Sequence, residues 1–560
     1  MSKSHLPKEP LASLNAYIEN AVRQNWELTA LSDLGGSNHQ FKDVAENIEK
    51  LHLIFEAGGL RPGDKIAICG KNSSHWAIAF LACLTGGYVV VPILHEFKPE
   101  TIHHLVDHSE AKLLFCDAAI WENLDEKSMK NLEAAIFITE YGLPYSRNER
   151  LTEVRNNINE YFGKKFPYAF NPESVHYYED KPEELAMINY TSGSTGMSKG
   201  VMLQYRSLLS NIRFCLEHLD FLMPGDGIVN MLPLAHLYGM VIEMLHPFCR
   251  GCHCNFLTRL PSPKVILGAF AQVKPKLIIT VPLILEKIIR GKVFPLLEKP
   301  LMRIMLKVPF LDDKLLAKIK TNLTAAFGGN VREIIIGGAA INADVERFLR
   351  RIDFPYTVGY GMTECGPLVT YAPPEENRYK SCGRIVDRME ARVDSPDPEN
   401  VPGDLWVKGD NVMLGYYRNE RATREVMPYD DGWMNTGDRA VIDADGFVYL
   451  KGRSKTMILG PSGQNIYPEE IEQVLNNLPY VSESLVIDDN GQLVALIYPD
   501  YESASAQGID TQGLEKIMDD NLKALNKEVP AYSKVSRYKL FLEEFEKTPK
   551  RSIKRFLYQP

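Results

Sequence analysis

From Ala186 to Leu203 the chain runs AMINYTSGSTGMSKGVML: a short apolar run of strand character, a loop of Gly, Ser, Thr and Lys from Thr191 to Gly200, and a second apolar run. Glycines at 193, 196 and 200 allow close backbone approach. The hydroxyls of Thr191, Ser192, Ser194 and Thr195 can donate hydrogen bonds, and Lys199 adds a cation. Successive backbone N–H groups with a lysine suit a polyphosphate. The spacing is not the G-x-x-x-x-G-K-[ST] of P-loops. A Ser/Gly surface loop is the alternative for this segment taken alone.

Working outward, the chain alternates between two periods. Val44, Ile48, Leu51 and Phe55 recur at helical spacing, and Asp64 to Cys69 (DKIAIC) is a strand-like run after the turn Arg61-Pro62-Gly63. A helix from Ser74, a strand Tyr88 to Pro92, a polar segment 98 to 109 and a strand Lys112 to Cys116 continue the alternation. Strand character returns at Ala186 to Tyr190, Lys276 to Val281, Glu333 to Ile336 and Tyr356 to Gly359, each followed by a loop carrying Gly, Thr or Pro. Such a pattern predicts an α/β fold of parallel-rich sheets covered by helices, with ligands bound where strands end. After about residue 385 the pattern changes to short alternating strands, such as Asp404 to Val407 and Gly446 to Leu450, which predicts a β-rich subdomain. The last hundred residues read as a separate small α+β unit.

Composition sets the class. The chain has 560 residues, 45% hydrophobic and 24% charged, as in ordinary multi-domain globular proteins, and a formal net charge of -9 that argues against a nonspecific nucleic-acid binder. Nine cysteines, without paired spacing, point to a reducing compartment and hence to the cytoplasm. The N-terminal sequence lacks the apolar run of a secretory signal. Trp76 to Leu94 is uncharged and long enough to suggest a membrane span, but Gly86, Gly87 and Pro92 interrupt it. It reads better as a buried helix followed by a strand, so no transmembrane segment is expected. Cys249, Cys252, His253 and Cys254 tempt a zinc reading, yet ligands at consecutive strand positions cannot all point inward. A structural thiol cluster is expected instead.

YTSGSTGMSKGVML resembles the phosphate-loop signature of the adenylate-forming superfamily, and further signatures follow in that family's order. These are LPLAHLYG (232 to 239), GGAA (337 to 340), YGMTECGP (360 to 367), TGD (436 to 438), KGRSK (451 to 455) and SGQNIYPEEIE (462 to 472). The resemblance implies a large N-terminal domain over residues 1–454 and a small mobile C-terminal domain over residues 455–560. It also implies roles for single residues. Thr191, Ser192, Gly193, Ser194, Thr195, Gly196 and Lys199 would hold the ATP phosphates, with Gly338 and Ala339 against adenine. Tyr360 would stack on adenine, Gly361 would belong to the ATP/AMP site, Thr363 would touch the α-phosphate, and Glu364 would hold Mg²⁺. Asp438 would accept from the ribose hydroxyls, with Arg453 adding a ribose or phosphate contact. His236 would line the acyl pocket. Lys455 matches the hinge about which the C-terminal domain turns, and Gly463 would border the channel for the coenzyme A arm.

The implied reaction joins an acid to a thiol in two steps, with ATP and coenzyme A as co-substrates. Val281 to Ile288 (VPLILEKI) and the basic and apolar stretch ending in FGGNVREIIIGGAA resemble long-chain fatty acyl-CoA synthetases, which favours a fatty acid. An acyl carrier protein remains open as the acceptor, as does peripheral contact with a membrane. One position departs from the family. Where its C-terminal signature has a lysine that neutralises charge during adenylation, Thr548-Pro549-Lys550-Arg551-Ser552-Ile553-Lys554-Arg555 places Ser552. Lys550 and Lys554 are the nearest cations, and the alternative reading is a nucleotide-binding protein with impaired adenylation.

Overall fold

The uncharged run from Trp76 forms the helix Ser74–Thr85 and the strand Val89–Ile93, both sealed inside the protein. The computed structural model describes residues 10–191, 198–259, 261–306, 308, 311–459, 465–548 and 553–559. The Ser74–Thr85 helix is apolar all round because protein surrounds it: Trp76, Phe80 and Leu84 are fully buried. Among the described residues no helix is long and apolar enough to cross a membrane.

That helix covers one face of an eight-stranded sheet. The strand order is Gly415–Tyr416, Lys199–Gln204, Leu185–Thr191, Val89–Ile93, Lys65–Cys69, Leu113–Cys116, Ala134–Phe137 and Tyr145–Ser146. The central strands pair in parallel, and the strands at both edges pair antiparallel. Strand period sorts the side chains. Ile66, Ile68, Leu113 and Phe115 pack with the helices Phe41–Ala57 and Ser74–Thr85, whereas Ala67, Cys69, Leu114 and Cys116 pack with Ile102 and Leu105 of the helix Pro99–Ser109. Burial on both faces explains why these strands read as unbroken apolar runs.

A second layer holds the parallel strands Leu277–Thr280, Glu333–Ile336 and Tyr356–Val358. Beyond residue 385 comes the expected β-rich subdomain, an antiparallel sheet of Met389–Asp394, Gly403–Gly409, Met434–Ile442 and Val448–Arg453. The C-terminal unit packs the helices Pro468–Leu475 and Thr511–Glu528 on the sheet Val481–Asp489, Gln492–Pro499 and Arg537–Leu540. Its core of Ile471, Leu475, Val486, Leu514, Met518 and Leu525 is a cluster of its own. The α/β fold with a large N-terminal part and a small α+β C-terminal part is thus the observed architecture.

Candidate functional site

The hairpin read first in the sequence is an antiparallel pair, Leu185–Thr191 with Lys199–Gln204, in which Thr191 stands opposite Lys199. Ser192, Gly193, Ser194, Thr195 and Gly196 lie outside the described residues. At the hairpin base the Lys199 ammonium sits 4.8 Å from the centroid of the Tyr416 ring. The Tyr416 hydroxyl donates to Glu364 Oε1 at 2.8 Å. One aromatic side chain therefore touches both the phosphate-loop lysine and the carboxylate expected to hold metal. Thr363 and Glu364 lie half-buried in a 3₁₀ turn, Thr363–Cys365, and the Met413 N–H donates to the Glu364 carbonyl at 2.8 Å. Burial and the Glu364 charge push the Tyr416 phenol well above its usual range, so it stays a donor at any physiological pH.

The surroundings of Asp438, the expected ribose acceptor, are built differently. Asp438 is buried on the strand Met434–Ile442, opposite Arg453 of its neighbour. Its Oδ2 accepts from the Tyr360 hydroxyl at 2.5 Å, and its Oδ1 lies 2.9 Å from Arg453 Nε. Both oxygens are engaged by the chain itself. Burial pushes the Asp438 carboxyl up, against the opposing pull of Arg453 and Tyr360. Arg439, the sequence neighbour of Asp438, pairs elsewhere, with Asp404 at 3.2 Å.

The residues expected beside adenine stand at the ends of the parallel strands. Gly338 and Ala339 follow Glu333–Ile336 and are exposed, and Gly338 has φ +85°, a conformation an L side chain rarely adopts. Gly361 lies so close to the Pro367 carbonyl that a Cβ would stand 2.4 Å from its oxygen. Tyr238 links the layers: its hydroxyl donates to the carbonyls of Thr280 at 3.3 Å and Ile335 at 3.1 Å. A small cavity is lined by Thr280 and by apolar side chains, among them Met231, Phe270, Ile278, Ile284, Leu285 and Ile288. His236 is half-buried in the turn before the helix Tyr238–Leu245, and Asn189 of the phosphate hairpin donates to the adjoining Ala235 carbonyl at 3.0 Å. His236 is not among the residues that line this cavity.

Lys455 is exposed in the turn after Val448–Arg453. Thr456 in the same turn donates to Glu469 Oε1 at 2.6 Å, which joins the β-rich sheet to the first helix of the small unit. That helix also meets the large unit: Gln473 donates to the Ile341 carbonyl at 2.9 Å, and Arg290 donates to Asn477 Oδ1 at 3.1 Å. Gly463, Lys550 and Ser552 lie outside the described residues. Lys554 is ion-paired with Glu546, and Lys547 lies 2.5 Å from Glu483 and 2.8 Å from Glu544. Cys249, Cys252 and Cys254 are buried thiols whose acidity burial suppresses, and Cys252 and Cys254 each face a backbone carbonyl, of Met223 and Met244. His253 pairs with Ser32 at 2.7 Å, so the segment has the structural role expected of it.

Sequence reasoning passed over Tyr416. It belongs to a two-residue strand, too short to show a period, and its neighbours are brought to it by pairing with Lys199–Gln204 across more than two hundred residues.

Family models, curated relatives and solved structures each match the chain over most of its length. The AMP-binding enzyme family model matches residues 18–417, and the AMP-binding enzyme C-terminal domain model matches residues 455–558. The chain is 28% identical over 495 residues to long chain acyl-CoA synthetase 3 of Arabidopsis thaliana, covering 82% of this chain and 73% of that one. It is also 28% identical over 493 residues to a long-chain-fatty-acid–CoA ligase of Escherichia coli O6:H1, covering 84% and 82%. Among solved structures, an anthranilate CoA ligase in complex with anthranoyl-AMP superposes with TM-score 0.76 at 19% identity, over 100% of this chain and 98% of that one. ATP-bound MatB from Rhodopseudomonas palustris does so with TM-score 0.75 at 22% identity, over 98% of each chain.

Proposed function

Because the chain belongs to the AMP-binding enzyme family, we propose that it is an AMP-forming ligase that activates a long-chain fatty acid with ATP and passes the acyl group to coenzyme A. The observation that carries this reading is that Tyr416 brings Lys199 and Glu364 together, while Tyr360, four residues before Glu364 in the same motif, holds Asp438. In the first step a carboxylate oxygen of the acid bonds to the α-phosphorus of ATP, and the bond to the β-phosphate oxygen breaks to release pyrophosphate. In the second, a thiolate sulfur bonds to the acyl carbon and AMP departs. The role of Lys199 is to hold negative phosphate oxygens beside the hairpin. Thr363, Gly338, Ala339 and Gly361 shape the nucleotide bed, and Asp438 receives the ribose hydroxyls once Tyr360 and Arg453 yield them.

Glu364 fits a hard cation. Its carboxylate is half-buried, accepts one hydrogen bond from Tyr416, and forms no ion pair among the described residues. Bound there, Mg²⁺ would neutralise phosphate charge that otherwise repels the incoming carboxylate. Domains at 1–454 and 455–560, with a hinge at Lys455 and a thiol channel at Gly463, complete the proposal. The domain boundary is supported by the separate core of the small unit.

A fatty substrate is supported by the relatives' names. Residues 282–320, which supply three of the lining side chains, also expose Leu283, Leu296, Ile304, Val308 and Leu311, and Lys and Arg outnumber Asp and Glu there in a chain of net charge -9. We place a peripheral contact with an anionic membrane on this stretch. Thioester formation assayed by mass over acids of increasing length tests the substrate, and sedimentation with anionic against neutral vesicles tests the contact. Preference for short or aromatic acids overturns the first. Equal sedimentation with both vesicles overturns the second.

A second reading, slow adenylation, is favoured by one observation: Ser552 replaces the expected lysine while Lys554 and Lys547 are both ion-paired within the small unit. An acyl carrier protein as acceptor would change the partner and leave the chemistry intact.

A further inference from the structure

Tyr416 has no role in the reading of the sequence, yet it touches both charged groups at the phosphate end. Its strand pairs with the hairpin so that Tyr416 faces Val201, two residues from Lys199 and on the same side of the sheet. Its backbone is pinned on both flanks. Leu414 N–H donates to the Met202 carbonyl at 2.9 Å, Tyr417 N–H donates to the Gly200 carbonyl at 2.7 Å, and the Tyr416 N–H donates to Thr423 Oγ1 at 2.9 Å. The residue is 6% exposed.

We propose that Tyr416 is a positioning residue for nucleotide activation, its ring holding the Lys199 ammonium and its hydroxyl orienting Glu364, so that cation and metal ligand face the same phosphates. The inference rests on the reading of Glu364 as the metal ligand. Each contact has its own physics. A cation over a ring face is fixed in position while keeping its charge and its remaining donors. A phenol that donates to Glu364 Oε1 fixes the plane of the carboxylate and leaves Oε2 for a cation. The two contacts are separable, since phenylalanine keeps the ring and loses the hydroxyl, whereas leucine loses both.

The test is calorimetric binding of ATP to the full chain with Mg²⁺ and with EDTA, for the native protein and for Tyr416→Phe, Tyr416→Leu and Glu364→Ala. Tyr416→Phe should bind metal-free ATP as the native protein does and lose about tenfold of the affinity that Mg²⁺ adds. Tyr416→Leu should also lose about threefold or more in metal-free ATP, because Lys199 is no longer held. In turnover, Tyr416→Phe should lower kcat more than it raises KM for ATP. Its Tm should stay within about 2 °C of native, and if Tyr416→Leu fails to fold, Tyr416→Phe alone decides. A Tyr416→Phe variant with the full Mg²⁺ gain overturns the inference, as does an equal loss with and without Mg²⁺. Where Glu364→Ala loses that gain and Tyr416→Phe does not, the metal reading stands and the role of Tyr416 falls. Where Glu364→Ala keeps it, the metal reading itself is wrong and the inference falls with it.

Discussion

At Asp438, the proposed ribose acceptor, both oxygens are bound by the chain, to Tyr360 at 2.5 Å and Arg453 at 2.9 Å, while Glu364, the proposed metal ligand, gives one oxygen to Tyr416 and pairs with no described cation. The difference lies in how each buried charge is compensated. Asp438 is enclosed, and a buried carboxylate without partners costs several kcal/mol, so the fold supplies partners that a ribose must later replace. Glu364 is half-exposed, and water can solvate the oxygen that the fold leaves open. On the proposed reading the phosphate end is preorganised for its ligand, whereas the ribose end trades internal contacts for ligand contacts.

The largest expected effect breaks the preorganised end. Lys199→Ala or Glu364→Ala should slow acyl-AMP formation by about 100-fold to 1,000-fold in single-turnover assays, since each removes a fixed charge from the reacting phosphates. A loss under about threefold with the fold intact would remove that group from the account. Next comes the charge that the sequence withholds: Ser552→Lys should raise the rate of acyl-AMP formation by up to about a hundredfold. Lys554→Ala should leave that rate unchanged, because Lys554 is already paired with Glu546. A slowed Lys554→Ala variant would show that this ion pair opens during adenylation.

At the exchanging end the effects are smaller. Asp438→Asn should raise KM for ATP by about tenfold, the scale of a hydrogen bond to a charged group. Tyr360→Phe should lower it by about twofold to threefold, because the ribose no longer displaces an internal donor. Both variants raising KM alike would mean that Tyr360 contacts the nucleotide directly through its hydroxyl.

The smallest effect on activity belongs to a carboxyl outside the cleft. Glu333 is buried, accepts from the Tyr371 hydroxyl at 2.7 Å, and is pushed up to about 8 mainly by burial. The folded protein therefore holds this proton over a range where the unfolded chain has lost it. The native stability contributed by Glu333 is full below about pH 4.5 and is lost as pH rises toward 8, at up to about 1.4 kcal/mol per pH unit. Glu333→Gln mimics the protonated form and should gain in Tm over native protein as pH rises from 5 to 8, with activity unchanged. A difference that does not vary with pH contradicts the assignment.

Much of this was legible in the sequence because strand period and helix period survive in single segments. Leu113–Cys116 and Glu333–Ile336 stand within a residue of where the apolar runs put them, and the antiparallel sheet after residue 385 follows from its alternation and turns. Asp438, Tyr360 and Glu364 were visible as candidates because each sits inside a contiguous motif. Their mutual contacts were not, since Tyr360 and Asp438 are 78 residues apart and meet only through the fold. Tyr416 was invisible for the same reason in stronger form: a two-residue strand has no pattern, and its meaning lies in what pairs with it. The stretch 282–297 also escaped, because the π-helical segment Ile289–Val293 lies between Pro282–Ile288 and Phe294–Leu297 and breaks the regular helical period.

The central claim is that this cleft forms an acyl-adenylate, and the exchange of labelled pyrophosphate into ATP, measured with and without a long-chain fatty acid and Mg²⁺, tests it most directly. The account predicts exchange that requires both the acid and the metal, is abolished in Glu364→Ala and is accelerated in Ser552→Lys. Exchange that is absent in native protein and in Ser552→Lys with every acid supplied, from a folded chain that binds ATP, would contradict it.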